Sequence, residues 1–147
     1  MRVGIDMVRI VEIREAVERH GDAYLERVFT PGEVAYCRSR GAGLADSLAA
    51  RFAAKEAVAK ALDVGDGVFD PREVEVVRSH SGACGLQLHG RAQRTARRRG
   101  LSGWSVSLTH EGDYAAAVVI VAERQTSTPA LARRNRPAPR ARRSRGA

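Results

Sequence analysis

The sequence predicts an α+β fold in which a small antiparallel sheet packs against helices. Helical patterns dominate the first half of the 147 residues, and antiparallel strand patterns dominate the second half. The clearest element is one long, alanine-rich helix over residues 45–62, which no glycine or proline interrupts. No internal repeat is visible, so we expect a single domain over residues 1–123.

The first half contains one strand and four helices in this prediction. Residues 2–8 are rich in valine and isoleucine and predict a strand. Apolar residues then recur at helical spacing over 10–20, and a short helix follows over 22–29. Thr30-Pro31-Gly32-Glu33 forms a capping box with proline at the first helical position. It predicts a third helix that ends near residues 39–43 and precedes the alanine-rich one.

The second half contains four strands and one helix. Short strands over 73–78 and 86–89 flank a turn of serine, histidine and glycine. A basic helix follows over 90–99 and is closed by a glycine. The last two strands, 104–108 and 114–122, are joined by five residues that predict a hairpin loop.

The net charge of +8 lies entirely in the C-terminal segment. Residues 124–147 hold eight arginines and no acidic residue, which leaves 17 basic and 17 acidic side chains in residues 1–123. This Arg/Pro/Ala-rich segment has one large apolar residue, Leu131, and cannot bury enough surface to offset its ordering entropy. We therefore expect a disordered tail outside a formally neutral domain.

Other features of the sequence argue against a membrane or secreted protein. The longest apolar run, Tyr114 to Ala122, has nine residues, about half of what a membrane span needs. Asp6 stands where a signal peptide requires an unbroken apolar stretch. Cys37 and Cys84 form no motif with each other or with a nearby histidine, which is typical of reduced thiols. These observations predict a cytoplasmic protein that does not bind membranes.

Three segments carry side chains that could perform chemistry. Asp6 is a carboxylate inside the first strand, and His110 follows the strand Trp104–Leu108. On the long helix, Glu56 and Lys60 are four residues apart and share one line along its surface. From the residues alone, simpler interpretations stay open: a solvent-facing carboxylate, a surface histidine, and an ordinary ion pair on a solvated helix.

Taken together, these groups suit a hard cation that is shared with a substrate phosphate. Magnesium is typically held by one or two carboxylates, with phosphate oxygens and water as the remaining ligands. Arg51, Lys55 and Lys60 would then neutralise further phosphate groups. The sequence contains no zinc pattern, P-loop, dinucleotide fingerprint or nucleophile elbow. The pattern therefore favours phosphoryl transfer.

Three segments resemble those of the bacterial holo-acyl-carrier-protein synthases, the short form of the 4′-phosphopantetheinyl transferase family. They are Gly4–Ile10, Arg51–Leu62 and Ser107–Ala117, which occur in the family's order and spacing. The segment Phe29-Thr30-Pro31-Gly32-Glu33 also matches the family's pattern. The resemblance covers residues 2–123 and stops at the tail.

The resemblance implies an activity and a set of site residues. It implies transfer of 4′-phosphopantetheine from coenzyme A to a serine of an apo acyl carrier protein, with release of adenosine 3′,5′-bisphosphate. It also implies that Asp6 and Glu56 bind Mg²⁺ and act in catalysis with Lys60. The sequence does not fix which group takes the serine proton, and both Glu56 through a metal-bound water and Asp6 directly stay open. The implied coenzyme A site comprises Arg51, Lys60, Gly65, Gly67, Thr109 and His110.

The resemblance further implies a homotrimer with active sites between neighbouring subunits, and an acidic carrier protein as partner. Some residues depart from the family's pattern. Many members carry arginine six residues after the metal-binding aspartate, on the helix that docks the carrier, whereas this chain has Glu12 there. A common glycine is Asp63, and a Gly-Lys-Pro turn reads Gly82-Ala83-Cys84. These departures concern carrier preference and leave both predicted metal ligands in place.

Two alternative functions come from other classes. The arginine-rich tail could bind nucleic acid through the phosphate backbone, but the domain is formally neutral and lacks an aromatic platform, so nucleic acid is not the expected partner. An inactive subunit that keeps only the fold is disfavoured because both carboxylates and both lysines are present.

Overall fold

A computed structural model describes residues 1–65 and 67–124 of the chain. It has a three-stranded antiparallel sheet, with a long helix packed against it, and a separate two-stranded sheet. The predicted α+β class is confirmed. The elements are β1 (Arg2–Arg9), α1 (Ile10–His20), α2 (Asp22–Val28), α3 (Pro31–Ser39), α4 (Leu44–Leu62), β2 (Val74–Arg78), β3 (Cys84–Leu88), α5 (Gly90–Arg98), β4 (Leu101–Glu111) and β5 (Tyr114–Glu123).

The larger sheet has the strand order β1-β5-β4, so β5 is its central strand. One face of β5 is buried, and the side chains of the opposite face are more exposed, as the two-residue period of a strand requires. The buried face packs on α4, which also contacts β1. The buried residues of β5 are Ala115, Ala117, Val119 and Val121.

Helix α4 is buried on nearly all sides, which is unusual for a helix that contains charged residues. Small alanine side chains let the neighbouring elements approach it closely. The closest approach is at Gly4 of β1, where an added Cβ would overlap the carbonyl oxygen of Ala57. The contact involves backbone and not a flexible side chain, so β1 can lie on α4 only if residue 4 lacks a Cβ.

Replacing Gly4 with alanine is therefore expected to destabilise the protein by about 1–3 kcal/mol, the usual cost of overpacking a core. Urea denaturation followed by circular dichroism would measure the change. Gly32→Ala is a suitable control, because the nearest atom to its added Cβ would be a side-chain oxygen of Glu75 at 3.4 Å. Equal stability of the Gly4→Ala variant and the parent would contradict this account of the β1–α4 contact.

The hairpin between the last two strands is tighter than predicted. The strands extend to Glu111 and from Tyr114, so only two residues connect them, and Gly112 there has φ 56°, as a tight hairpin turn requires. The predicted five-residue loop was wrong because it assigned strand residues to the turn. Thr109 and His110 are consequently held in β4, opposite Ala116 and Ala115.

The remaining expectations concern the chain's end and membranes. Of the predicted tail, only Arg124 lies within the described residues, and its backbone N–H donates to the Gly100 carbonyl at 2.8 Å. In the part of the chain that the structure describes, no helix has the length and apolar character needed to cross a membrane.

Candidate functional site

Asp6 and Lys60 meet where β1 lies against α4. Asp6 shares a face of β1 with Gly4 and Val8, which are buried, and this face is directed toward the helix. The Lys60 ammonium donates to Asp6 Oδ1 at 2.8 Å and to the Ile5 carbonyl at 3.0 Å. The Asp6 side chain is 18% exposed and the Lys60 side chain is 56% exposed. The structure thus brings two predicted site residues into contact at an accessible position.

Glu56 lies one helical turn before Lys60 and lines a cleft of about 140 Å³. Gly65 and Gly67 line the same cleft, so the predicted glycine loop stands beside the predicted metal ligand. Gly67 has φ 72°, a conformation that glycine adopts without strain. The other lining residues are Lys55, Ala59, Val68, Phe69 and Pro71.

Arg51, Thr109 and His110 line a second cleft, of about 230 Å³. Arg51 is only 3% exposed; its Nη1 donates to the Ser47 carbonyl at 3.1 Å, and its guanidinium lies 4.3 Å from the centroid of the Tyr36 ring. Arg51 Nε has no hydrogen-bond partner among the described residues. A buried cationic donor without an acceptor is costly, so this cleft is suited to bind an anion.

The second cleft contains residues that sequence reasoning missed. Arg40, Arg78 and Tyr36 line it, and the Arg78 guanidinium lies 5.1 Å from the Tyr36 ring centroid. Two arginines therefore contact one aromatic ring, which restricts both to the cleft wall. Nothing in the spacing of Arg40 and Arg78 distinguishes them among the 23 arginines of the chain, and only the fold brings them to the cleft that Arg51 lines.

Lys55 lines the first cleft, but its ammonium is bonded within the protein, which contradicts the predicted role of Lys55 as a phosphate ligand. Its ammonium is buried and donates to Glu33 Oε2 at 2.8 Å, to the Pro71 carbonyl at 3.1 Å and to the Val74 carbonyl at 2.5 Å. An ammonium has three protons, so these bonds use all of them. Burial lowers the pKa of Lys55, whereas the Glu33 carboxylate beside it acts in the opposite direction.

Glu33 completes this buried cluster. The predicted capping box is confirmed, because Thr30 N–H donates to Glu33 Oε2 at 3.0 Å and the Thr30 hydroxyl accepts from Glu33 N–H. Glu33 Oε1 also accepts from the Val76 backbone N–H at 2.8 Å. One carboxylate therefore joins the start of α3, the middle of α4 and β2, and so holds the segment that follows the glycine loop against α4.

The residues present suit a magnesium ion. Asp6 and Glu56 both offer carboxylate oxygens, both are partly exposed, and they lie on elements that contact each other. Within residues 1–65 and 67–124, no three His, Cys, Asp or Glu side chains are grouped as in a metal site made by protein alone. A cation held by these two carboxylates would take its other ligands from phosphate and water.

The two cysteines are free thiols in different surroundings. Burial raises the pKa of Cys37 to about 11, against a smaller opposite effect of Arg51, whereas Cys84 is half-buried in the wall of the second cleft. At pH 8 we expect iodoacetamide to modify one thiol of the folded protein, Cys84, because the thiolate is the nucleophile. Mass spectrometry of tryptic peptides would identify it, and Cys84→Ser should abolish the reaction; rapid labelling of Cys37 would contradict the prediction.

A comparison with protein families decides what kind of protein this is. The model of the 4′-phosphopantetheinyl transferase superfamily matches residues 2–119. The chain belongs to this superfamily. The match includes Asp6, Glu56, Lys60, Arg51 and both halves of the β4–β5 hairpin, so the resemblance inferred from the sequence is confirmed.

Relatives within the superfamily agree with this assignment. A holo-[acyl-carrier-protein] synthase of Moorella thermoacetica is 46% identical over 121 residues, which cover 82% of this chain and 93% of the relative. The crystal structure of the Helicobacter pylori holo-[acyl-carrier-protein] synthase in complex with coenzyme A is 31% identical, with a TM-score of 0.72, and the match covers 82% and 99% of the two chains. A Mycobacterium tuberculosis acyl carrier protein synthase is 38% identical, with a TM-score of 0.61, covering 83% and 96%.

Proposed function

We propose that this protein transfers 4′-phosphopantetheine from coenzyme A to a serine hydroxyl of an apo acyl carrier protein, with Mg²⁺, and releases adenosine 3′,5′-bisphosphate. The observation that carries the proposal is the arrangement along α4. Glu56 borders the first cleft, which Gly65 and Gly67 also line and which we call the glycine-loop cleft. Lys60 binds Asp6, and Arg51 lines the second cleft, which we call the basic cleft. A relative with the same fold was crystallised with coenzyme A, which is consistent with this arrangement.

In this mechanism Asp6 and Glu56 would hold the magnesium ion, which polarises the pyrophosphate when bound. Lys60 keeps its ammonium at the surface beside Asp6 and binds the pyrophosphate oxygens. The serine oxygen attacks the β-phosphorus, and the bond from that phosphorus to the oxygen of the nucleotide phosphate breaks. The serine proton goes to a carboxylate, either Asp6 or Glu56, both of which are accessible enough to receive it.

The nucleotide portion of coenzyme A would occupy the clefts. Gly65 and Gly67 let the backbone approach the substrate without a Cβ, and Arg51 offers its unpartnered Nε–H to an anionic group. Thr109 and His110 add a hydroxyl and an imidazole from β4, whose pairing with β5 positions them. The chain's residues therefore mainly orient the substrate and neutralise its charge, which is what phosphoryl transfer requires.

We further infer that the active form is a homotrimer with its sites between subunits. The glycine-loop cleft and the basic cleft share no lining residue, so a substrate that spans both kinds of cleft can bind between two chains. The open face of the larger sheet also carries exposed apolar side chains at facing positions of two strands, as expected of a surface that a partner covers. This open-face patch comprises Val3, Ile5 and Met7 of β1 with Val118 and Ile120 of β5, which are 36–65% exposed.

A charge in the open-face patch is expected to dissociate the trimer. In the double variant Ile5→Lys/Val118→Lys, two ammonium groups would have to be buried in each subunit contact, which is prohibitively costly. Size-exclusion chromatography with light scattering should change from the mass of three chains to that of one. Glu18→Lys, on the exposed side of α1, is the control and should stay trimeric. A parent protein that is monomeric at working concentration would contradict the inferred trimer.

The proposed reaction is tested by incubating the protein with coenzyme A, Mg²⁺ and a panel of apo carriers from fatty-acid, polyketide and peptide pathways. We expect a carrier to gain the mass of phosphopantetheine, EDTA to stop the gain, and added Mg²⁺ to restore it. Deleting residues 124–147 should leave transfer intact, as expected if residues 1–123 form the catalytic domain. Loss of transfer on deletion would overturn that division, and no modification of any carrier would overturn the proposed function.

A further inference from the structure

Cys84 is a free thiol that no step of the proposed reaction uses. It ends the segment Gly82-Ala83-Cys84, where the sequence departs from the family's pattern. Its side chain is half-buried and lines the basic cleft, whereas Cys37 is completely buried. A molecule that enters the basic cleft can therefore reach the thiol of Cys84 but not that of Cys37.

Strand pairing holds the Cys84 thiol beside a guanidinium. Cys84 is the first residue of β3 and pairs directly with Arg78, the last residue of β2. Opposite residues of an antiparallel pair project from the same face, with Cβ atoms about 4.5–5.5 Å apart. Both side chains accordingly line the basic cleft, and the polar contact with the Cys84 sulfur raises the pKa of Arg78. The Ser79 N–H donates to the Ala83 carbonyl at 2.9 Å and so closes the turn between the two strands.

The rest of the basic cleft attracts anions, which is an observation independent of the thiol. Arg40, Arg51 and Arg78 line the cleft, and no acidic side chain is among the described residues around it. Arg51 is almost completely buried, and its Nε has no hydrogen-bond partner in the part of the chain that the structure describes. A ligand with a negative group satisfies this donor and is thereby held next to Cys84.

A metal ion is a poor occupant of the same place. His110 lines the basic cleft together with Cys84, and both residue types bind soft cations. The three guanidinium groups around them repel a cation, however. Among residues 1–65 and 67–124, no three His, Cys, Asp or Glu side chains are grouped as in a metal site. The combination of a thiol with anion-binding arginines instead suits a disulfide that carries negative charge, because binding of its charged group raises the concentration of the disulfide beside the sulfur.

We propose that Cys84 is a modification site for small disulfides that carry phosphate or carboxylate groups. The negative group binds the arginines of the basic cleft, and the Cys84 thiolate, having released its proton to water, attacks one sulfur of the bound disulfide. A bond forms between these two sulfurs, the original S–S bond breaks, and the other half leaves as a thiolate that takes up a proton. Cys84 is oxidised and the incoming disulfide is reduced, so the reaction needs no further oxidant.

Modification fills the basic cleft with the attached half of the disulfide. Under the proposed function, on which this consequence rests, the nucleotide portion of coenzyme A uses the same cleft. The modified protein therefore binds coenzyme A poorly, and a small thiol restores binding by the reverse exchange. The site would make the enzyme sensitive to the balance between disulfides and thiols around it.

The test compares disulfides of different charge on the full chain. Bis(2-hydroxyethyl) disulfide is neutral, 3,3′-dithiodipropionate carries carboxylates, and coenzyme A disulfide carries phosphates. The rate of Cys84 modification in the folded protein, followed by mass spectrometry of peptides, is divided by the rate in the urea-unfolded chain to remove the intrinsic reactivity of each reagent. At low salt we expect this ratio to be about tenfold or more higher for an anionic reagent than for the neutral one, and the difference to shrink at high salt. The faster of the two anionic reagents shows which negative group the cleft prefers.

A matched pair of variants tests whether the cleft causes the preference. Arg78→Gln should lower the ratio for the anionic reagents about threefold or more and leave the ratio for the neutral reagent unchanged. Arg94→Gln removes an exposed arginine that does not line the cleft and should change neither ratio. Equal ratios for neutral and anionic reagents, modification of Cys37 in place of Cys84, or equal effects of the two variants overturns the proposal.

The consequence for binding is tested separately with adenosine 3′,5′-bisphosphate, a nucleotide that has no thiol to reverse the modification. Calorimetry should show a Kd about tenfold or more higher after modification with dithiodipropionate, recovery after treatment with dithiothreitol, and no change in identically treated Cys84→Ser. An unchanged Kd in the modified protein overturns the blocking of the cleft. If the unmodified protein does not bind the nucleotide, the proposed function fails, while the modification rates still decide the proposal for Cys84.

Discussion

Replacing either Asp6 or Glu56 with alanine is expected to abolish transfer, lowering kcat/KM by about a thousandfold or more. The two carboxylates lie on β1 and α4, which contact each other, and under the proposed function they hold one magnesium ion. A magnesium ion bound mainly through substrate phosphate depends on each of its few protein ligands, and removing one also leaves developing phosphate charge without a counter-charge. The rate would be measured by the mass change of the apo carrier over a range of Mg²⁺ concentrations.

The control for this prediction separates catalysis from folding. Both side chains are partly exposed, so their removal should leave thermal melting nearly unchanged. Asp46→Ala removes another carboxylate of α4, one that lines neither cleft, and should retain full activity. Normal turnover by a well-folded Asp6→Ala/Glu56→Ala protein would disprove the assigned role of the two carboxylates.

Replacing Glu33 with alanine is expected to destabilise the protein by about 3–5 kcal/mol, a large part of the stability of a domain of this size. The variant leaves the Lys55 ammonium buried without its counter-charge and the Val76 N–H without its acceptor. Both costs arise because Lys55 and Glu33 are almost completely removed from water. Urea denaturation at pH 7, with circular dichroism as the signal, would measure the free energy of unfolding.

A double variant tests whether the unpaired charge is the cause. Glu33→Leu/Lys55→Met removes both charges and should recover a substantial part of the loss, because an apolar pair avoids the desolvation cost of an unpaired ion. It should not recover all of it, since Val76 still lacks an acceptor and the capping box is broken. A double variant less stable than Glu33→Ala would show that packing, and not charge, dominates at this position.

The part of the fold that could be predicted from sequence is the part governed by local rules. Helix α4 was evident because residues 45–62 contain no helix breaker, and the start of α3 was evident because the capping box is a short-range pattern. The buried environment of the Lys55 side chain could not be predicted from such local patterns. It shares a line with Arg51 on the helix surface, and a helical line does not show whether it faces solvent, an anion or a buried carboxylate 22 residues away in sequence.

The candidate site was predictable only to the extent that its residues lie in contiguous segments. Asp6, Glu56, Lys60 and His110 were each identified within a local pattern, and the structure adds how they are grouped. Tyr36 and Arg78 join Arg51 through long-range packing, for which no local pattern exists. The spacing of the residues also does not show that Glu56 and His110 line separate clefts, because that separation depends on how β4 and the glycine loop pack around α4.

If the inferred trimer forms through the open-face patch, catalytic activity depends on protein concentration. If the sites form only between chains, a dilute solution contains isolated subunits with half-built sites, and activity per chain falls as the protein is diluted below the dissociation constant. The melting temperature would fall as well, because assembly stabilises the folded subunit by an amount that grows with the logarithm of the free partner concentration. Protein concentration would then act on this enzyme in the way that an activating ligand acts on others.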